Sequence, residues 1–480
     1  MSASSPLPGG EDTIAAIATA PGRGAIALLR LSGPDAHGVA ERVLRPWRPT
    51  PGRAFLTTLR DPESGAVIDH PVVTPYASPR SYTGEDLVEI SVHGGLVVPA
   101  LALGALLAAG ARQALPGEFT RRAVMAGKMD VLQAEGVADL VDATSRAMHR
   151  AALEHVDGAL SRRIATLREG LLALEALIAY DIDFPDEDDG PIPVERVDTA
   201  IAALGRALAD LLATADAGEV VRHGALVVIA GAPNVGKSSL FNALLGRARA
   251  IVTDVPGTTR DAIEAVIDVG RWPVRLVDTA GLRETGDVVE RLGIEASERY
   301  LRSADVVLAC GDDDAVLAAT LARVRPLTAA PVLAVRTKCD LLTNGDEIRA
   351  DGGGRHHDNL VSCKHEMAGT PLDATRVSAA TGAGLGELAG ALAACLDREH
   401  GGRGGAAELP LLTRERHRLA VRRAREEVEA FARAWRAGEL PVAIAATHLR
   451  AAEGALQDLI GVVDVEELLD RVFSAFCVGK

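Results

Sequence analysis

The sequence predicts a multidomain chain of mixed class. A small α+β domain comes first, then a helical domain in two separated segments, and between those segments a doubly wound α/β domain. Three observations predict this. At the centre, the apolar run 226–230 breaks into Gly231-Ala232-Pro233-Asn234-Val235-Gly236-Lys237-Ser238, and residues 239–244 then have helical character. Strand, glycine loop and helix in that order are the context of a phosphate-binding loop. Beyond it, β runs at 274–277, 306–310 and 332–336 alternate with helical stretches, the pattern of a parallel sheet with its ligand at the strand C-terminal ends. On both sides of this block, apolar residues recur at helical spacing, at 128–180, 193–217, 414–435 and 443–459.

Length and composition bound the reading. At 480 residues the chain exceeds one core, and roughly two to four domains are expected. Aromatic residues make up only 3% against 48% hydrophobic, so Ala, Leu, Val and Gly must fill the interior, which favours helices and close α/β layers. A net charge of −15 argues against gripping nucleic acid by broad electrostatics, which needs a basic surface. A local basic patch or a basic partner stays compatible with it. The five cysteines, Cys310, Cys339, Cys363, Cys395 and Cys477, form no C-x-x-C pair, so neither a zinc site nor a disulfide framework is indicated, and a reducing compartment fits. Residues 1–10 lack the basic and apolar regions of a secretory signal. The apolar stretch 96–111 contains Pro99 and is short for a membrane span; it is expected to be a core helix. A soluble, cytoplasmic protein is expected.

Taken in order, residues 1–127 read as the α+β domain. Two β runs within 12–31 flank the turn Pro21-Gly22-Arg23-Gly24, another lies at 72–74, and the polar loop Ser81-Tyr82-Thr83-Gly84-Glu85-Asp86 feeds an alternating strand. Glu85, Asp86, Glu89 and His93 suggest a metal or acid–base cluster, with solvated strand-edge carboxylates as the plain alternative. Residues 128–221 form the first helical segment, in which Leu160, Ile164, Leu167, Leu171, Leu174 and Ile178 mark one stripe. The acidic run 183–190 reads as a connector. Residues 222–400 are the nucleotide domain, and 401–480, after the glycine-rich link 401–407, are the second helical segment. That segment has no core of its own and is expected to pack on 128–217. The stretch around His356-His357 reads as a surface insertion, with metal binding the alternative.

The loop chemistry is specific. Glycines let successive N–H groups turn toward one point, and with the helix N-terminus they cradle phosphate oxygens. Lys237 would reach the β/γ-phosphates, and the Ser238 hydroxyl would ligate Mg²⁺. The polar loop 250–261, with Thr258 and Thr259, stands where a switch loop closes on γ-phosphate and Mg²⁺. Asp278, in Asp278-Thr279-Ala280-Gly281, can hold the Mg²⁺ shell, and the Gly281 N–H can sense the γ-phosphate. In Thr337-Lys338-Cys339-Asp340, Asp340 can accept from guanine N1–H and the exocyclic amine while the Lys338 stem stacks on the base. Val377-Ser378-Ala379 is the last base-side loop.

GAPNVGKS, DTAG, TKCD and the VSA loop together look like a translation-factor-class GTPase, and the flanks narrow this. With DTIAAIATAPGRG, LRLSGP, SYTGED…HGG, PGEFTRRA…GKMD, QAEGVADLVDA, IDFPDE, TDVPGTTRD, DTAGLRE and the terminal FCVGK, the chain resembles the MnmE (TrmE) family of tRNA modification GTPases from end to end. The resemblance implies a tetrahydrofolate-binding and dimerising domain over 1–127, a helical domain over 128–221 and 401–480, and a P-loop GTPase domain over 222–400. It also implies a homodimer that joins a flavin-bearing MnmG (GidA)-type partner, FAD on that partner, in a heterotetramer. Together they would install an aminomethyl or carboxymethylaminomethyl group at C5 of the wobble uridine of certain tRNAs. The carbon would come from 5,10-methylene-tetrahydrofolate, for which 5-formyl-tetrahydrofolate serves as an analogue, and GTP hydrolysis would drive the cycle.

Residue by residue, the resemblance places GTP against Asn234, Val235, Gly236, Lys237, Ser238, Ser239, Thr253, Thr258, Thr259, Asp278, Thr279, Ala280, Gly281, Thr337, Lys338, Asp340, Ser378 and Ala379. Mg²⁺ falls to Ser238 and Thr259. K⁺ falls to Asn234 with the backbones of Thr253, Val255 and Thr258, where an arginine finger would stand in other GTPases. Leu282 replaces the water-orienting glutamine of Ras-like enzymes, and the water-polarising glutamate falls at Glu290. Lys237, Glu290 and the near-terminal Cys477 are the catalytic candidates, although burial statistics alone make Cys477 a core residue. Folate falls to Arg30, Glu89, Lys128 and the terminal Lys480. The chain departs from the family in Thr337, where asparagine is usual, and in the insertion 343–376. A ribosome- or RNA-associated assembly GTPase shares the nucleotide motifs but not residues 1–128 or FCVGK. A regulatory module without turnover is disfavoured by Ser238, Thr259 and Asp278. The Arg414–Arg425 stretch is either a local tRNA contact or a solvated face.

Overall fold

The computed structural model describes residues 12–183, 194–247, 263–278, 297–341, 374–401, 410–437, 442–461, 473, 476, 478 and 479. They divide into two compact units. The first holds the described residues up to Ala138, His155–Leu172 and those from Arg450 onward; the second holds Asp139–Glu154 and the described part of Ala173–Leu449. Among the described residues, fifteen strands run in chain order. In the first unit they are β1 (Ile14–Ile17), β2 (Ile26–Ser32), β3 (Leu44–Arg45), β4 (Phe55–Leu56), β5 (Thr58–Arg60), β6 (Val67–Asp69), β7 (Val72–Tyr76), β8 (Leu87–His93) and β9 (Arg112–Gln113). In the second they are β10 (Ala225–Gly231), β11 (Ile263–Val269), β12 (Trp272–Asp278), β13 (Val306–Gly311), β14 (Val332–Arg336) and β15 (Thr375–Arg376).

The first unit is built on a sheet of order β4-β7-β8-β2-β1-β9, antiparallel except for the parallel β1–β9 pair. Period-two alternation decides its faces. Ala27, Leu29 and Leu31 of β2 and Val88, Ile90 and Val92 of β8 bury against helices Ala36–Val43 and Val98–Ala108. The second of these helices is the core helix expected at 96–111, shorter than expected, with Leu96, Val97 and Leu101 exposed. The opposite face carries Arg30 opposite Glu89. The end of the chain returns to this unit. Phe473 and Phe476 pack with Val131 and Ala134, and each buried ring contributes about 1.5–3 kcal/mol. Gly117 (φ 66°) has no room for a side chain, because a Cβ there would lie 2.9 Å from Phe473. Val478 bridges Pro116, and Gly479 lies against Ile17 and Ala18.

In the second unit the sheet order is β11-β12-β10-β13-β14-β15, parallel but for the antiparallel edge strand β11. Val227 and Ile229 face helices Lys237–Arg247 and Leu385–His400 on one side. Val228, Ala230 and Val307 face Leu301 and Val324 on the other. Helices on both faces make it doubly wound, as expected. Beside it, Val197, Ile201, Leu204, Leu208 and Leu211 of helix Val194–Leu212 form a stripe that packs on helix Glu415–Ala437, which buries Val421, Ala424, Val428 and Phe431. The single helix expected at 193–217 is two, Val194–Leu212 and Ala215–His223. Thr214 makes the break: its hydroxyl donates to Leu211 O at 2.7 Å and accepts from Leu412 N at 3.1 Å. The chain therefore enters the sheet and leaves it at one place. Among the described residues no helix is long and apolar enough to cross a membrane.

A charged core braces the first unit. Arg122, its side chain 5% exposed, donates to Asp12 Oδ1 (2.6 Å), Glu118 Oε1 (3.1 Å) and Glu85 Oε2 (3.2 Å), and Arg112 pairs with Asp12 and Glu118. Burial alone would raise the Glu118 carboxyl, but hydrogen bonds from Arg112 and the Leu115 N–H outweigh it and hold Glu118 below its ordinary 4.5. Asp12 is likewise held below 3.8, burial being overcome by Arg112 and Arg122. Arg122→Ala is expected to destabilise this unit by about 1–3 kcal/mol, because it removes the arginine partner of Glu85 and one of the two arginines on Asp12 and Glu118. Carboxyls depressed by folding stabilise above their unfolded values, and that stabilisation fades as pH falls through the lower folded values, here below about pH 4. Denaturant midpoints across that range check both, and Arg112→Ala should flatten the acid-side slope.

Candidate functional site

The phosphate loop is built where three parallel strands end together. Ile229 of β10 lies opposite Asp278 of β12, and Gly231 opposite Cys310 of β13. Gly231 is required there because a Cβ would meet the Cys310 carbonyl at 2.6 Å. The loop then turns through Asn234 at φ 63° and Gly236 at φ 93°, and the helix begins at Lys237. The buried Lys237 ammonium donates to Ala232 O at 2.8 Å. The Ser238 hydroxyl donates to Asp278 Oδ2 at 2.7 Å, and Asp278 is 1% exposed. A hydroxyl and a carboxylate meeting at a strand end form an all-oxygen set, which fits Mg²⁺ and not a softer metal. A cavity of about 550 Å³ opens on the loop, lined by Gly231, Asn234, Gly236, Lys237, Ser238 and Lys338 among others. Burial pushes the Cys310 thiol up to about 12, so this neighbour is an inert core group.

The base side is fastened to that loop. The Thr337 hydroxyl donates to Val235 O, with Gly311 O also in reach at 3.2 Å. One hydroxyl has one proton, whereas an asparagine amide has two, so Thr337 can donate to only one of the two carbonyls at a time. Lys338 has left-handed backbone (φ 54°), and its ammonium donates to Asn234 O at 2.7 Å and Asp312 Oδ2 at 2.9 Å. The hydrogen bond from Lys338 holds the Asp312 carboxyl below its ordinary value. Its stem passes Gly236. Asp340 is exposed in the 3-10 turn Cys339–Leu341. The buried Ser378 anchors its loop, its N–H donating to Ala383 O and its hydroxyl accepting from Thr381 N, with Ala379 beside it. Asn234, Val235, Gly236, Lys237, Ser238, Ser239, Asp278, Thr337, Lys338, Asp340, Ser378 and Ala379 thus all belong to one strand-end rim. Thr253, Val255, Thr258, Thr259, Thr279, Ala280, Gly281 and Glu290 lie outside the described residues, as do His356, His357 and the acidic run beyond Asp183.

In the first unit, Arg30 Nε donates to Glu89 Oε1 at 3.0 Å, and its guanidinium lies 5.1 Å over the Tyr82 ring. The Tyr82 hydroxyl meets Thr120 at 2.8 Å. Burial raises the Tyr76 hydroxyl, and the Glu89 carboxylate raises it further. Lys128 runs past Gly84, its ammonium donating to Pro79 O at 2.9 Å. Cys477 and Lys480 lie outside the described residues, while their neighbour Val478 bridges Pro116 and Gly479 lies against Ile17 at the end of β1, whose Ala16 faces Arg30 across the ladder.

One expectation needs correction. Glu85, Asp86, Glu89 and His93 do not converge. Glu85 binds Ser32 and Arg122, Asp86 accepts from Ser78 N, Glu89 binds Arg30, and His93 binds Asp69 at 2.7 Å. No metal-holding group of His, Cys, Asp or Glu occurs among the described residues. Glu85 and Asp86 lie in the loop before β8, and Glu89 and His93 share a face but stand four residues apart along the strand, so each finds its own cation or amide. In the stretch from Arg414, Arg414 pairs with the buried Asp139 at 2.7 Å, Arg418 with Glu415 and Arg425 with Glu429, while Arg422 and Arg423 are exposed. Sequence reasoning missed Asp312 and Tyr82. The lysine and arginine they serve were visible, but their partners are set by strand pairing.

The family description "MnmE helical domain" matches residues 131–477, and "GTP-binding protein TrmE N-terminus" matches 13–128. The tRNA modification GTPase MnmE of Heliobacterium modesticaldum is 42% identical over 98% of this chain and 99% of its own. Those of Methylorubrum populi (44%, 99% of each chain) and Azoarcus sp. (41%, 100% of each) are similar over the same extent. With a P-loop rim and both family segments in place, the chain belongs to the MnmE family of tRNA modification GTPases and is a GTP hydrolase.

Proposed function

We propose that this GTPase is K⁺-activated and works with a flavin-bearing MnmG-type partner. Together they add an aminomethyl or carboxymethylaminomethyl group to C5 of wobble uridine in certain tRNAs, with methylene-tetrahydrofolate as carbon donor. The observation that carries the one-carbon half is the polar sheet face with Arg30 on Glu89 and over Tyr82, with the chain's last described residues beside the neighbouring strand. A guanidinium, a carboxylate and a ring on one face match the charge and flatness of a folate, with its pterin and glutamate ends. Lys128 belongs to the same reading, its stem beside Gly84 of the loop that carries Tyr82, as do Cys477 and Lys480, the sequence neighbours of Val478 and Gly479. Homodimerisation through the first 127 residues and assembly with the partner as a heterotetramer belong to the same reading. So does the division into 1–127, 128–221 with 401–480, and 222–400, which is supported by the meeting of Thr214 and Leu412 at the neck of the sheet.

At the nucleotide, Lys237 binds the β/γ-phosphates, Ser238 and Asp278 with Thr259 would hold Mg²⁺, and Asp340 reads guanine. Bound Mg²⁺ supplies charge neutralisation on the phosphate oxygens. Asn234 stands exposed at the loop tip in left-handed backbone, and with the carbonyls of Thr253, Val255 and Thr258 it would hold K⁺, which supplies the positive charge an arginine finger gives elsewhere. Glu290 would orient the attacking water, since Leu282 cannot.

GTP hydrolysis should be faster by about a hundredfold in KCl than in NaCl at equal ionic strength, with Asn234→Ala abolishing the difference. Equal rates would remove K⁺ from the reading. Glu89→Ala should weaken 5-formyl-tetrahydrofolate binding by about tenfold or more by calorimetry while leaving GDP affinity unchanged. Unaltered folate affinity would displace the site from this face. The whole reading is tested by nucleoside mass spectrometry of tRNA after incubation with GTP, methylene-tetrahydrofolate and the flavoprotein, where the modified uridine is expected only when all are present.

A further inference from the structure

We infer that Asp312 is a positioning residue for the nucleotide site: it holds Lys338 so that Lys338 in turn fixes the Asn234 turn of the phosphate loop. Among the described residues, the non-glycine positions with left-handed backbone are Asn234 and Lys338, and they are hydrogen-bonded to each other, Lys338 Nζ to Asn234 O at 2.7 Å. Asparagine tolerates this conformation and lysine adopts it at a greater steric cost, so surrounding contacts must hold Lys338 there. Its ammonium donates to two acceptors, the Asn234 carbonyl and Asp312 at 2.9 Å.

The neighbours of Asp312 are otherwise engaged. Asp313 caps helix Asp314–Val324 by accepting from Val316 N at 2.7 Å, and Asp314 pairs with Arg336 at 3.0 Å. Only Asp312, directly after β13, is aimed at the loop. An exposed ion pair by itself contributes little, and Asp312 is 34% exposed. Its consequence comes from where the lysine's other hydrogen bond goes. Strain of this kind persists at functional sites when surrounding contacts over-determine it, and the Asp312–Lys338–Asn234 chain is such a set of contacts. It ties the base-side lysine to the phosphate loop.

The inference rests on guanine-nucleotide binding at this loop, which fluorescent GDP binding to the unmutated full-length chain tests first; no binding there overturns the nucleotide reading itself. Given binding, stopped-flow dissociation of fluorescent GDP with Mg²⁺ should speed up by about five- to tenfold in Asp312→Asn and by more in Lys338→Met. The double variant should be no faster than Lys338→Met alone, because Asp312 acts through the lysine. Asp312→Glu, which keeps the charge, should stay within about twofold of the unmutated chain. The nucleotide-free melting temperature should stay the same in all four. Additive effects, an unchanged Asp312→Asn rate, or an Asp312→Glu as fast as Asp312→Asn would each overturn the inference.

Discussion

The nucleotide half of this molecule depends on the fastening of its base-reading strand end to its phosphate loop. A P-loop works by aiming N–H groups at one point, which turns its carbonyls outward. Here those carbonyls are answered from a single direction, Val235 O by Thr337 and Asn234 O by Lys338. Register makes this possible. β14 follows β13 in parallel, so that Arg336 lies opposite Gly311, and the next residue, Thr337, stands over the loop. The threonine at this place is a shift in means and not in end: it still ties the loop, with one proton where an amide has two.

The first unit solves a different problem. It must present a polar face on a thin sheet while its motif-bearing loops stay fixed. Arg122 and Arg112 do this by gathering Asp12, Glu85 and Glu118, which come from three separate stretches. With the loops thus braced, Arg30 and Glu89 can pair in a fixed orientation against Tyr82. Many residues of DTIAAI, SYTGED and PGEFTRRA therefore serve structure, and the ligand-facing part is smaller than the motifs suggest.

How much was legible followed from how local the signal was. The P-loop, its strand and its helix are contiguous, and β14 runs from Val332 to Arg336 as expected. Doubly wound packing followed from alternating elements. The break at Thr214 was hidden because apolar spacing continues across it, and only the distant Leu412 N–H uses the hydroxyl. The apparent cluster of Glu85, Asp86, Glu89 and His93 was close in sequence, but loop and pleat send each side chain to its own partner. Asp312 carried no signal because three aspartates in a row look equivalent until their partners are known.

The central claim is that one rim, with Asp340 on the base side and Lys237, Ser238 and Asp278 on the phosphate side, selects and binds guanine nucleotide. Calorimetric titration of the full chain with GDP and with ADP, each with Mg²⁺, tests it most directly. The account predicts saturable GDP binding and ADP binding weaker by at least about a hundredfold, since adenine lacks the N1–H and 2-amino donors that the Asp340 carboxylate accepts from guanine. Equal affinity for the two nucleotides would contradict it.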